Sequence, residues 1–294
     1  VKQYVDLLNK ILSEGERRED RTGVGTLSIF GGQLSFDLRQ RFPLVTIKKT
    51  LWKHAFIEML WFLRGEPNIK YLHDHGVHIW DQWAKPDGSL GPVYGVQWRR
   101  WPGAAYEAFG EDRFKHHSIL TREPGRTVVF EPPIDQIKNL IERIKTRPRD
   151  RRLIVSAWNP AYVEKMGLPP CHRDFQCYVS NDGHLDLMMA IRSWDTCLGG
   201  PFNIAQYALL THLLARATSL KPRHLKINYG DAHIYLNHVE KMREILSSPD
   251  RAPIDCPTGL DILTDNTDID GYKPEDFDIV GYRSHPFVKL EVAV

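Results

Sequence analysis

Apolar residues return along this chain with two different periods, and the changes of period mark its elements. Leu7, Leu8, Ile11 and Leu12 share one helical face, so the first fifteen residues predict an amphipathic helix. Residues 26–38 alternate instead, through Leu27 and Ile29 and then Leu34, Phe36 and Leu38. The Gly31-Gly32 pair between them reads as a bend joining two strands. Residues 51–63 predict a helix rich in bulky apolar side chains, with Glu58 set among Phe56, Met59, Leu60 and Trp61. Ile134, Ile137, Leu140, Ile141 and Ile144 mark a further amphipathic helix. Strands are predicted at 153–158, 175–179 and 185–191, the last apolar on both faces, as in a sheet covered on both sides. A long apolar helix follows at 202–218, and another begins within 233–246. Elements interleaved in this way predict one α/β (α+β) domain spanning residues 1–294, built on a large mixed sheet packed by helices. Residues 102–133 stand apart: polar, marked by Gly and Pro, weakly periodic, and read as a surface insertion or mobile loop.

Composition narrows the functional classes. With 294 residues and 42% hydrophobic content the chain can bury a sizeable core. No apolar run approaches the roughly 18 residues that a membrane span needs. The first fifteen residues lack the charged-then-apolar pattern of a signal peptide. Four cysteines without CxxC or Cys/His ligand spacing argue against disulfides and structural zinc, so a reducing, cytoplasmic setting is expected. A net charge of +2 leaves any selectivity for anions to local arginine placement.

The chemistry concentrates in Leu168-Pro169-Pro170-Cys171-His172, followed by Arg192-Ser193-Trp194-Asp195 and Pro201-Phe202-Asn203. A thiol is the strongest nucleophile a protein owns near neutral pH, but only as thiolate, so it calls for a cationic neighbour. His172 adjoins it, Arg192 on a downstream strand is placed to face it, and Asn203 offers an amide to a planar, hydrogen-bonding substrate. Glu58, if buried, would have its pKa raised toward neutrality, which suits proton transfer. Trp80 and Trp83 are core aromatics or a stacking wall for a flat heterocycle. The turn Asp20-Arg21-Thr22-Gly23-Val24-Gly25 presents a cation suited to phosphate. The basic run from Arg143 to Arg152 reads by default as a solvated face. It is not interleaved with base-stacking aromatics, which makes nucleic-acid binding at most secondary. Arg151 and Arg152 also lead into a strand edge, where bidentate phosphate binding suits them.

Taken together these motifs resemble the thymidylate synthase family, the folate-dependent enzymes with a cysteine nucleophile. The resemblance runs nearly end to end. It rests on Asp20-Arg21-Thr22-Gly23, Glu58-Met59-Leu60-Trp61-Phe62-Leu63, Ile79-Trp80-Asp81, Gly91-Pro92-Val93-Tyr94-Gly95 and Gln97-Trp98-Arg99. Arg151-Arg152, Ser156-Ala157-Trp158-Asn159, Pro169-Pro170-Cys171-His172, Pro201-Phe202-Asn203, Gly230-Asp231-Ala232-His233-Ile234-Tyr235 and Glu291-Val292-Ala293-Val294 continue it.

The resemblance implies reductive methylation of deoxyuridylate by 5,10-methylenetetrahydrofolate, leaving dihydrofolate, with neither metal nor flavin. Cys171 would add to C6 of the pyrimidine, and Glu58, His172, Tyr94 and ordered water would manage its protons. Arg192 would stabilise the thiolate and hold the phosphate together with Arg21 and Ser193. Arg151 and Arg152 would reach in from the second subunit of a sheet-to-sheet homodimer. Asn203 and Asp195 would meet the nucleotide, and His233 with Tyr235 its ribose 3′-hydroxyl. Ile79, Trp80, Trp83, Asp195, Leu198, Gly199 and Phe202 would line the folate site, and the last residues, Ala293 among them, would close over it.

Several positions depart from the family's common pattern. Ala190-Ile191 stand where Tyr-Gln is usual, and Trp194 replaces a small residue. Arg173-Asp174 follow His172 in place of apolar residues, and Gln82 replaces a frequent Glu. The related pyrimidine hydroxymethylases share the scaffold, thiol and folate, but water replaces hydride in the last step. Asn203 argues against a cytosine substrate, leaving deoxyuridylate hydroxymethylation as the alternative. A cysteine protease would leave Asn203, the tryptophan pair and the arginines without a common purpose.

Overall fold

The computed structural model describes residues 1–103, 105–108, 118–123, 126–130 and 132–293. The first helix, α1 (Lys2–Glu14), buries Tyr4, Leu7, Leu8 and Ile11 on the face its spacing predicts. It is followed by β1 (Glu16–Arg18), β2 (Thr26–Asp37), α2 (Trp52–Arg64), α3 (Lys70–Asp74) and α4 (Tyr94–Arg99). Next come β3 (Ala105–Ala108), β4 (Ser118–Glu123), β5 (Arg126–Phe130), α5 (Gln136–Thr146), β6 (Ile154–Ser156), β7 (His172–Val179) and β8 (His184–Asp195). The chain continues through α6 (Gly199–Ala217), β9 (Lys221–Tyr235), α7 (Leu236–Ser247) and the hairpin partners β10 (Gly259–Ile262) and β11 (Phe277–Val280).

Six strands form one mixed sheet in the order β1-β2-β9-β8-β7-β6. Every neighbouring pair is antiparallel except β8 and β9. Parallel neighbours need a long crossover, and α6 supplies it. That helix packs against α2, β8 and β9. A helix apolar on every side belongs inside, and α6 is buried from Ile204 through Thr211, Gln206 included. Helix α2 is enclosed in the same way, buried without a break from Ala55 to Leu63, and stops at Gly65 in the left-handed conformation (φ 67°). Glu58 is therefore enclosed as well, rather than riding on a polar edge.

Four expectations are corrected. Residues 26–37 run as a single strand, because β9 pairs with β2 on both sides of Gly31 and Gly31 takes φ 84°. Any side chain at Gly32 would collide with the Tyr229 ring, so the glycines serve strand continuity and close packing rather than a bend. His233 and Tyr235 end strand β9 instead of beginning a helix, and α7 starts only at Leu236. Strand β8 buries one face, through Leu185, Leu187, Met189 and Ile191, while Asp186, Met188 and Ala190 are only half-buried. Its apolar residues on both faces therefore do not mean cover on both faces within one chain. The stretch 102–133 is no bare loop, since residues 105–108, 118–123 and 126–130 form an antiparallel sheet ordered β3-β5-β4; residues 104, 109–117, 124–125 and 131 lie outside the described residues. All four cysteines are free. Among the described residues no helix is long and apolar enough to cross a membrane.

Candidate active site

Glu58 is held from two sides within the core. Trp80 Nε1 donates to its Oε1 at 2.6 Å and Gln206 Nε2 donates to its Oε2 at 2.7 Å. Burial raises its pKa to about 7, and the two hydrogen bonds, which favour the carboxylate, offset only part of that rise. A carboxyl near neutrality can both give and take a proton at physiological pH.

Cys171 sits just before β7, where its backbone N–H donates to the Tyr94 hydroxyl at 2.7 Å. Arg192 is tied to the same loop, its Nε and Nη2 donating to the carbonyls of Pro170 and Pro169 at 2.9 and 3.1 Å. Its guanidinium lies 5.2 Å from the centre of the Trp158 ring. Among the described residues no carboxylate pairs with it, which leaves its charge available to an anion. The thiol is not a ready thiolate in the single chain. Burial pushes its pKa up, more than Arg192 and a hydrogen bond from Tyr94 bring it down. The cation expected beside the thiol is present, but it does not prevail alone. His172 does not add to it, because burial lowers that imidazole's pKa to about 4 and keeps it neutral. The ring is packed between Tyr94 and Tyr207, with Nδ1 lacking a hydrogen-bond partner among the described residues. Tyr94, stacked on Phe62 at 4.6 Å, is likewise kept un-ionised by burial. Both Cys171 and Glu58 act electrostatically on its hydroxyl, so it lies near each of them.

Asn203, in the first turn of α6, is buried and engaged at both ends of its amide. Trp194 Nε1 donates to Oδ1 at 3.0 Å, and Nδ2 donates to Gln206 Oε1 at 3.4 Å. Gln206 is the residue that sequence reasoning missed. It lies in an apolar helical run one turn beyond Asn203, and a glutamine buried in such a run was the available signal.

The phosphate-type residues fall into two groups. Arg21 is exposed on a turn that Asp20 organises, with Oδ1 accepting from Gly25 N at 2.8 Å and Oδ2 from Thr22 N at 3.1 Å. Tyr235 feels the charges of Asp195, Asp20, Cys171 and Arg21, and burial is the main cause that lifts its pKa to about 12. These groups therefore lie within electrostatic reach of Tyr235. His233, held by Asp231 at 2.8 Å, packs edge-on against Tyr235, and half-buried Ser193 lies between Arg192 and Trp194 on β8. Arg151 and Arg152 do not join them. They are exposed before β6, where Arg152 Nε contacts Asp150 at 3.1 Å. The ladder registers set Ile154 level with Gln176, Met188, Lys226 and Ser35, toward the far end of β2 from Arg21. Across four strand spacings and along β2, that separation amounts to about 35 Å at ~4.8 Å per spacing and ~3.3 Å per residue. One chain cannot close all of these arginines on one anion.

An aromatic wall borders the carboxyl. Trp80 is buried against Trp61 and Trp83, at 5.4 and 5.7 Å between ring centres. Ile79 is exposed, and Trp83, Leu198, Gly199 and Phe202 are half-buried, so apolar surface stays open to a flat ligand. Asp195 Oδ1 accepts from the backbone N–H of Cys197 and Leu198, which anchors the entry to α6. The terminal segment lies against α7 through a 2.7 Å contact between His238 Nε2 and the Glu291 carbonyl. Ala293 is half-buried there, and Val294 lies outside the described residues. The arrangement joins a thiol, a carboxyl with a pKa near neutrality, an oriented amide and a guanidinium that no carboxylate pairs among the described residues. The thymidylate synthase family model matches residues 2–294.

Proposed function

The chain belongs to the thymidylate synthase family of one-carbon transferases, and we propose that it converts deoxyuridylate to thymidylate with 5,10-methylenetetrahydrofolate. The observation that carries this reading is the line of hydrogen bonds from Asn203 through Gln206 to Glu58, with the Tyr94 hydroxyl bonded to the backbone of Cys171 and near that carboxyl. Asn203 meets the base, an amide accepting from its N–H and donating to its carbonyl. Cys171, deprotonated as the nucleotide binds, adds to C6 of the ring. Glu58 exchanges protons at the pyrimidine, while neutral His172 and Tyr94 orient water and substrate around it. Arg21, Arg192 and Ser193 hold the phosphate, and His233 with Tyr235 the ribose. Ile79, Trp80, Trp83, Asp195, Leu198, Gly199, Phe202 and Ala293 form the folate side. When bound, the folate supplies the one-carbon unit and the hydride that completes the methyl group. No metal or flavin takes part, and the setting is cytoplasmic.

The test is the product. Deoxyuridylate and methylenetetrahydrofolate should give 5-methyl deoxyuridylate with one equivalent of dihydrofolate, followed by mass and by absorbance. A 5-hydroxymethyl product without dihydrofolate would assign the sibling reaction, in which water closes the last step. Ala190, Ile191 and Trp194 would then be the first positions to exchange.

The reading includes a homodimer in which Arg151 and Arg152 serve the partner's phosphate site. The separation of about 35 Å within one chain supports this, as does the open sheet face, where Ile154 and Tyr178 are exposed. A two-fold axis pairs such faces and brings each strand-edge loop to the other site. Cys171→Ser and Arg152→Ala variants, each poorly active alone, should regain activity after mixing and re-association. One hybrid site then has an intact Cys171 together with the other chain's intact Arg152. If hybrids form and an inactive Arg152→Ala protein is not rescued, the arginine serves its own subunit.

A further inference from the structure

Trp194, the penultimate residue of β8, is completely enclosed, with 0% of its surface exposed, and the one polar atom of its side chain points at the amide of Asn203. An indole nitrogen donates at every pH and never accepts. It therefore tolerates one orientation of that amide, oxygen toward the indole. The other end is held by a longer contact of 3.4 Å. Asn203 Nδ2 faces Gln206 Oε1, whose own Nε2 is committed to Glu58 Oε2 at 2.7 Å. Glu58 Oε1 in turn accepts from Trp80 Nε1. The line thus begins and ends on donor-only indoles, and both amides between them point the same way.

We infer that Trp194 is a positioning residue that sets pyrimidine selectivity by locking the Asn203 amide, an inference that rests on the proposed contact between Asn203 and the base. Its bonds to Trp194 and Gln206 leave the amide one acceptor site on Oδ1 and one hydrogen on Nδ2, with the His172 imidazole beside them. A uracil edge, an N–H beside a carbonyl, matches that remainder. A cytosine edge, a ring nitrogen beside an amino group, requires the amide turned over. Turning it sets its NH2 against the indole N–H and its oxygen against Gln206 Oε1. Donor then meets donor and acceptor meets acceptor, where Asn203 is 8% exposed and Gln206 0%. Unsatisfied groups are costly in such a place. Trp194 therefore acts against cytosine without touching the nucleotide.

The experiment compares dissociation constants of deoxyuridylate and deoxycytidylate by isothermal titration, on wild type and on two forms lacking the indole N–H. One is Trp194→Phe. The other replaces Trp194 by β-(3-benzothienyl)alanine, which keeps the bicyclic shape and substitutes sulfur for the N–H, so that a folding failure of the phenylalanine variant decides nothing. Loss of one hydrogen bond of ordinary net strength should lower the preference for deoxyuridylate about tenfold. Part of that change should appear as tighter deoxycytidylate binding, which general loosening of the core would not produce. A preference within twofold of wild type, in the isostere with an unchanged melting temperature, overturns the inference and leaves the reaction standing. A wild-type protein without preference for deoxyuridylate would instead overturn the base contact of Asn203, and the inference with it.

Discussion

Replacing Cys171 by serine is expected to lower kcat by three orders of magnitude or more while leaving the fold and nucleotide binding in place. The two side chains are nearly isosteric, and the contacts that hold the loop are to the backbone: Tyr94 holds the N–H of residue 171, and Arg192 holds the carbonyls of Pro169 and Pro170. What changes is nucleophilicity. Even raised by burial, a thiol gives up its proton far more readily than a serine hydroxyl, and its anion attacks a polarised ring faster. A thousandfold loss corresponds to about 4 kcal/mol of transition-state stabilisation. The checks are steady-state turnover with titration of deoxyuridylate, and mass spectrometry for a covalent adduct, expected in wild type and absent from the variant. Turnover within tenfold of wild type would remove covalent catalysis from this position.

The scaffold was legible where one face of an element meets water. Helix α1 and helix α5 have the faces that the spacing of Leu7, Leu8 and Ile11, and of Ile137, Leu140 and Ile144, demands. Legibility failed where tertiary packing replaces local rules. Gly31-Gly32 is a turn signal by chemistry, yet the strand continues because β9 pairs beside it and Tyr229 needs the space. All of β9 escaped notice, and its last residues His233, Ile234 and Tyr235 precede a helical pattern without punctuation, so that only the ladder to β8 and β2 extends the strand through them. Pairing partners distant in sequence leave no local trace.

The site divides along the same line. Residue types announced Cys171, Glu58, Arg192 and Asn203, since a nucleophile, an enclosed carboxyl, a cation and an amide are conspicuous in their settings. Their states were not announced. His172 beside the thiol looked like its activator, whereas enclosure among Tyr94, Tyr207 and Phe62 keeps it neutral. Gln206 gave little sign, because its function depends on reaching Glu58 across the contact between α6 and α2. Trp194 stood out only as an unusual residue, and the structure supplies its partner. Charge state and orientation follow from burial and hydrogen-bond direction, which sequence carries only indirectly.

Glu58→Gln is expected to lower kcat by a factor of 10² to 10⁴, the usual worth of a positioned proton-transfer group, and to change how stability responds to pH. Burial moves this carboxyl from its ordinary value of 4.5 to about 7. A folded-state pKa raised in this way means that the enclosed carboxyl resists ionisation. Below pH 4.5 it is protonated in both folded and unfolded chains, and stability is undiminished. As pH rises toward 7 the unfolded chain ionises freely while the folded one does not, so stability is progressively lost. At about 1.4 kcal/mol for each pH unit the loss totals about 3 kcal/mol, most of it between pH 5 and pH 8. Glutamine does not titrate, so the stability of wild type relative to the variant should fall by nearly that amount over this interval. The amide also sets an NH2 against Gln206 Nε2, a cost that is the same at both pH values and drops out of the difference. Urea unfolding of both proteins at pH 5 and pH 8, with kcat measured on the same samples, tests both effects. A flat difference would mean that Glu58 ionises as easily inside the fold as outside, and kcat within tenfold of wild type would take the proton transfers away from it.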